Sequence, residues 1–215
     1  MQKPLRPLAD CQLYTFVDAA YLDGRDPVAI ARKLCAGGSD LIQLRAKDWS
    51  PDAIRTVAAR ILPITSAAGV WLVVNDHPEI ARELGAPICH LGQEDFFDAG
   101  RTRVSEVKCA PVKIGLSTHA PGQAERAIAA GADYVAIGPV YATGTKPTAR
   151  PVTLEYVRWA SHNVKIPWFA IGGINLQTLD AVIEAGARRV CVVSAILNSP
   201  DVAAACRAFK ARLEA

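Results

Sequence analysis

The sequence has no apolar run approaching the roughly 18 residues that a membrane-spanning helix needs. Its longest, VCVVSAIL at 190–197, is the size of a strand. The opening residues, MQKPLRPLADCQ, lack the apolar stretch of a secretory leader. Six cysteines stand at 11, 35, 89, 109, 191 and 206, and no two form a CxxC pair. No cysteine–histidine set has zinc-finger spacing. Cys11, Cys89 and Cys191 sit inside apolar runs and read as small buried hydrophobes. A reducing cytoplasm is the expected compartment. Charge is nearly balanced: 24 Lys and Arg against 21 Asp and Glu leave +3. That gives no argument for nucleic acid, and nothing argues for a membrane partner. A GxGxxG turn after the first strand-like run is also missing, which counts against a dinucleotide-binding fold.

What is present is regular. Of the 215 residues 51% are hydrophobic and 21% charged, which excludes a disordered chain. Strand-like runs recur at 12–18, 41–45, 70–76, 88–92, 113–117, 134–140, 167–173 and 189–195. Several are almost continuously apolar, as in strands covered on both faces. Helical stretches alternate with them near 27–36, 51–62, 78–84, 121–130, 153–162, 175–185 and 200–213. Ser50 ahead of Pro51 reads as an N-cap before the first helical residue. A weak repeat, AGGSDLI, LGAPIC, AGADYV and AGARRV, places a glycine at each helix end before the next strand. Eight βα units in one chain predict a single-domain (β/α)8 TIM barrel over residues 1–215, with an open doubly wound sheet as the alternative. The stretch between Asp95 and Lys113 has no clear pattern.

In such a barrel the chemistry sits at the C-terminal ends of the strands. Polar residues gather there: Gln43, Arg45 and Lys47 after the second strand, Asn75 and Asp76 after the third, Gln93, Glu94 and Asp95 after the fourth. Ser117, Thr118 and His119 follow the fifth, and Thr143, Thr145 and Lys146 the sixth. Gly172 and Gly173 end the seventh, and Ser194 the eighth. Gln43 and Arg45, two apart, share the inward face. An inward arginine needs an anion, either a structural carboxylate or a ligand, and nearby Lys47 favours a phosphate. Asp76 and Asp95 suit Mg²⁺ shared with phosphate oxygens, although Asp76 also fits as an N-cap of the helix near Pro78. IGGIN and VVSAI lie where barrels hold a phosphate on backbone N–H groups. TGTKPTAR at 143–150 reads as a mobile phosphate-binding loop, or as a solvated linker. His90 reads as a hydrogen-bonded core histidine, and His162 as a helix-terminal group.

The stretches QLRAK, VND, HLGQED, IGLSTH, GADYVAIGPVYATGTKP and AIGGI through VVSAI resemble the thiamine-phosphate synthase and thiazole tautomerase barrel superfamily, in family order. The resemblance implies a transferase that joins a pyrimidine methyl diphosphate to a thiazole phosphate, carboxylated or not, with loss of pyrophosphate. It implies that Gln43, Arg45, Lys47, Asn75, Ser117 and Lys146 hold the diphosphate substrate, with Arg45, Lys47, Lys146 and Ser117 acting in catalysis. It assigns Mg²⁺ to Asp76 and Asp95, and the thiazole phosphate to Thr143, Thr145, Gly173, Val193 and Ser194. Three positions depart from the family pattern: Ala46 replaces an acid, Ile88 a glycine and Ala142 a proline. The alternatives are a thiazole tautomerase and a non-catalytic binder of thiazole phosphate or thiamine phosphate. Self-association, as a homo-oligomer, is left open.

Overall fold

In the computed structural model, residues 3–107, 111–144 and 150–215 are described. The eight strand-like runs become β1 (Leu13–Asp18), β2 (Leu41–Arg45), β3 (Trp71–Asn75), β4 (Ile88–Leu91), β5 (Lys113–Thr118), β6 (Tyr134–Ile137), β7 (Trp168–Ile171) and β8 (Val190–Cys191). They pair in parallel, each with its neighbour in sequence, and β8 returns to β1 to close the barrel. The helices are α1 (Pro27–Ala36), α2 (Pro51–Ala68), α3 (Pro78–Leu84), α4 (Gln93–Asp98), α5 (Pro121–Ala129), α6 (Thr153–Asn163), α7 (Leu179–Glu184), α8 (Ser194–Leu197) and α9 (Val202–Glu214).

Local chemistry explains where several elements begin and end. Ser50 accepts from the Ala53 N–H at 3.3 Å with Pro51 at the first helical position, and Asp26 does the same for α1 through Val28 at 3.2 Å. The repeat glycines Gly38, Gly85, Gly131 and Gly186 all take the left-handed conformation, with φ of 88°, 69°, 90° and 102°. This is the region that a side chain disfavours and that a sharp helix-to-strand turn requires.

Several placements differ from the sequence expectation, β6 and β7 among them, which stop at Ile137 and Ile171 instead of 140 and 173. The helix expected to end at residue 62 runs through Pro63 to Ala68. Pro63 lies on the exposed face, while Ile61 and Thr65 on either side are buried. Packing of that face outweighs one lost backbone hydrogen bond. The helix expected from 175 begins only at Leu179, because Asn175 folds the chain into a turn: its Oδ1 accepts from the N–H groups of Gln177 and Thr178 at 2.9 and 3.1 Å. The last strand stops at Cys191, and Ser194 opens the short α8. Asp95 is not at a strand end but in the first turn of α4, part of the stretch whose pattern was unclear.

The barrel interior is filled by aromatic rings. Tyr14 stacks on Phe16 at 5.2 Å between centroids, and Phe169 meets Tyr14 and Tyr134 edge-on at 5.4 and 5.7 Å. Bare Gly115 admits Tyr134, since a Cβ there would overlap its ring. This aromatic layer forms the floor on which the polar strand ends stand. Cys11, Cys89 and Cys191 are buried as expected.

Candidate active site

A cavity of about 120 Å³ opens at the C-terminal ends of the strands. Gln43, Arg45, Lys47, Asn75, Asp76, Asp95, Ser117, Thr143, Gly173, Val193 and Ser194 all line it. Thr145 and Lys146, and with them most of the loop at 143–150, lie outside the described residues. An outer cleft of about 1000 Å³ shares Arg45, Lys47, Glu94 and His119 with the inner cavity.

The β2 side carries the cations. Ile42 and Leu44 are buried against the helices, which turns Gln43 and Arg45 inward. The anion that Arg45 requires is supplied by the chain itself. β1 and β2 pair with Asp18 opposite Arg45, and the guanidinium donates to Asp18 Oδ2 at 2.8 Å. Lys47 reaches Asp76 Oδ2 at 3.4 Å, and Asn75 Nδ2 donates to the same oxygen at 2.6 Å. Asp76 therefore does not cap α3. His77 holds the N-cap position, and Asp76 adopts φ of 64°, a strained backbone that turns its carboxylate towards Lys47.

The floor is a buried hydrogen-bond chain. Gln43 Nε2 donates to the Tyr14 hydroxyl at 2.5 Å, which lies 3.1 Å from the Tyr134 hydroxyl. Tyr134 in turn stands 3.0 Å from His90 Nδ1. Burial pushes both phenols well above their ordinary range, so they remain neutral hydroxyls. His90 is thus the hydrogen-bonded core histidine expected, and it also touches the cavity. His162 is likewise helix-terminal, its Nδ1 2.7 Å from the Arg158 carbonyl.

On the β4–β5 side, the Gln93 N–H donates to Ser117 Oγ at 3.3 Å, tying the start of α4 to the end of β5. Asp95 leans over Gly92: a Cβ on that glycine would sit 2.5 Å from Asp95 Oδ2. His119 bonds the Gly138 carbonyl through Nδ1 and faces Glu94 at 3.7 Å through Nε2. The β6–β8 side presents backbone. Gly172 and Gly173 have φ of 104° and 64°, and a Cβ on Gly173 would lie 2.6 Å from the Ala142 carbonyl oxygen. Only glycine lets these two loops approach so closely.

Sequence reasoning passed over Asp18, the Tyr14–Tyr134 pair, and the clasp that His119 makes. Asp18 had a usable signal: it is the polar residue ending the first strand, as Arg45 ends the second. The tyrosine pair had none, since 120 residues separate its members.

Asp76 and Asp95 are hard oxygen donors on one cavity wall, and no group of three or more His, Cys, Asp or Glu able to hold a metal occurs among the described residues. Two carboxylates with substrate oxygens completing the shell fit Mg²⁺, which keeps few protein ligands. The bare Gly92 that leaves room for Asp95 Oδ2 is consistent with that use.

Residues 13–196 match the family described as thiamine monophosphate synthase. The chain is 46% identical over 179 residues to the thiamine-phosphate synthase of Thermus thermophilus, covering 83% of this chain and 84% of that one. It is 42% identical over 215 residues to the thiamine-phosphate synthase of Acidothermus cellulolyticus, covering 97% of each. Among solved structures, the thiamine phosphate pyrophosphorylase from Pyrococcus furiosus superposes with a TM-score of 0.84 at 28% identity, over 96% of this chain and 97% of that one. A 3-hexulose-6-phosphate synthase shares the fold alone, with a TM-score of 0.64 at 17% identity over 93% of this chain and 98% of that one.

Proposed function

The chain belongs to the thiamine monophosphate synthase family and is a transferase of that family, and from that premise we propose that it couples a pyrimidine methyl diphosphate to a thiazole phosphate. In this reading the methylene C–O bond to the diphosphate breaks, and the thiazole nitrogen forms the new C–N bond. Pyrophosphate leaves with the bonding electrons. The observation that carries it is the polarity of one cavity: cations and carboxylates on the β2–β4 side, glycine backbone on the β7–β8 side.

Arg45 and Lys47 hold the diphosphate and stabilise charge growing on the leaving oxygen. Asn75 and Ser117 add neutral donors that orient it. The backbone around Gly173 and the Ser194 hydroxyl hold the thiazole phosphate on the opposite side, and Thr143 closes that side of the cavity. Asp76 and Asp95 would hold Mg²⁺, which supplies further neutralisation of the diphosphate when bound. Lys146 and Thr145 join the same two anion sites in this reading. Held face to face, the two substrates react without any general base. The buried free thiols Cys11, Cys89, Cys191 and Cys206 support a reducing, cytoplasmic setting.

The test is pyrophosphate release by purified protein given Mg²⁺ and both substrates. Release only when both are present is expected. Thiazole isomerisation without release would make the protein a tautomerase, and binding without any turnover would make it a carrier.

A further inference from the structure

We infer that Asp18 is a positioning residue for this reaction, acting on the diphosphate through Arg45; the inference rests on the function proposed above. Asp18 is 1% exposed and is absent from the cavity wall. Its two oxygens are both committed. Oδ1 accepts from the Ala20 N–H at 3.1 Å, and Oδ2 accepts from Arg45 Nη1 at 2.8 Å. The parallel register places the two residues side by side at the last pair of β1 and β2, so the contact is built by the sheet and not by a flexible loop.

The consequence for Arg45 is directional. Its guanidinium has five donors in a rigid plane. Among the described residues only the Nη1 edge is bonded, and the partner is Asp18. That fixes the plane at one edge and leaves the Nε and Nη2 donors to the cavity that Arg45 lines. The side chain is 14% exposed, so water does not do the same work. An arginine aimed in advance loses little rotamer freedom when a diphosphate arrives, which is how preorganisation raises affinity.

Two opposed effects make the claim testable by sign. If Asp18 merely neutralised Arg45, removing its charge would tighten anion binding. If it aims Arg45, removing it weakens binding. For Asp18→Asn we expect pyrophosphate, titrated with Mg²⁺ by calorimetry, to bind about tenfold more weakly, since an unaimed charge-assisted contact costs on that order. Inorganic phosphate competing at the thiazole side should bind as in the wild type. In an Arg45→Ala background the same substitution should cost nothing further. Unchanged or tighter pyrophosphate binding by a folded Asp18→Asn protein overturns the inference, as do additive losses in the double variant. A wild-type measurement covers the case in which the variant does not fold. Side-chain NMR of labelled arginine, assigned with Arg45→Lys, should show hindered rotation of the Arg45 guanidinium before any ligand is added, and free rotation overturns the inference. A wild-type protein that binds no pyrophosphate takes down the functional reading as well. Normal wild-type binding with an indifferent Asp18→Asn takes down only the role of Asp18.

Discussion

The two ends of the barrel use the same residue types for opposite purposes. At the N-terminal end of the strands, Asp40 accepts from the N–H groups of Gln12 and Leu13 at 2.8 and 3.0 Å and from Lys210 Nζ at 2.7 Å. Arg6 approaches its other oxygen at 3.5 Å. In this cluster Asp40, Lys210 and Arg6 answer one another, and the cluster ties β1 to the C-terminal helix α9. At the C-terminal end, Arg45 is held at one edge only among the described residues, Lys47 is 48% exposed beside Asp76, and the loops after β7 carry bare glycine. Charges closed upon one another stabilise, whereas charges held at one edge and open at the other are available to a ligand. The position of an ion pair therefore says less about its role than whether its donors are used up.

That contrast can be broken from either side. The largest effect is expected at the closed end: Asp40→Ala should cost about 3 kcal/mol of stability by leaving the Lys210 ammonium and two backbone donors behind. Urea unfolding measures this, and turnover per folded molecule should not change. At the open end, Asp95→Asn should lower turnover about a hundredfold through loss of a charged ligand to metal and diphosphate, with an unaltered melting temperature. A parallel loss of stability would show that the open end is also structural. Ser194→Asp should weaken thiazole phosphate about tenfold by like-charge repulsion and spare pyrophosphate, as titration of each ligand would show. Equal losses would mean one anion site, not two.

The smallest effect again belongs to the closed end. Burial, with the nearby Asp40 charge, pushes the Cys11 thiol from its ordinary 9.0 up to about 12. The unfolded chain gives up this proton at a lower pH than the folded one, so stability is complete below about pH 9 and declines as pH rises towards 12. The urea midpoint should fall between these values, and Cys11→Ala should make the fall shallower.

Much of this was legible in advance because it depends on neighbours in sequence. Ser50 and Asp26 cap from within three residues, and the glycine at each repeat marks where φ must turn positive. The alternation of Gln43 and Arg45 with Ile42 and Leu44 points two polar groups inward whatever lies across from them. Illegible were the interactions whose partners are remote. The sequence marks Asp18 and Arg45 as polar strand ends but not as partners, since 27 residues separate them, and nothing near Pro63 says that the face of α2 is worth more than the hydrogen bond it forgoes. The role of Asp76 was undecided for a similar reason. A carboxylate ahead of a helix fits a cap and a cavity wall equally, and only the backbone at φ of 64° turns it away from the helix.

By itself, then, the sequence determined a repeating βα chain whose strand ends, and the segments that follow them, bear an inward arginine, a lysine, two carboxylates and a pair of glycines. Short-range sterics and two-residue alternation are properties of the chain before it folds. The tertiary structure alone decided which of those charges are spent. Closing the barrel brought Asp18 against Arg45 and linked Tyr14, Tyr134 and His90 into one buried chain, and it set Asp95 on a helix above Gly92. Strand register across the barrel is fixed by the packing of all eight strands together, and no local segment contains that information.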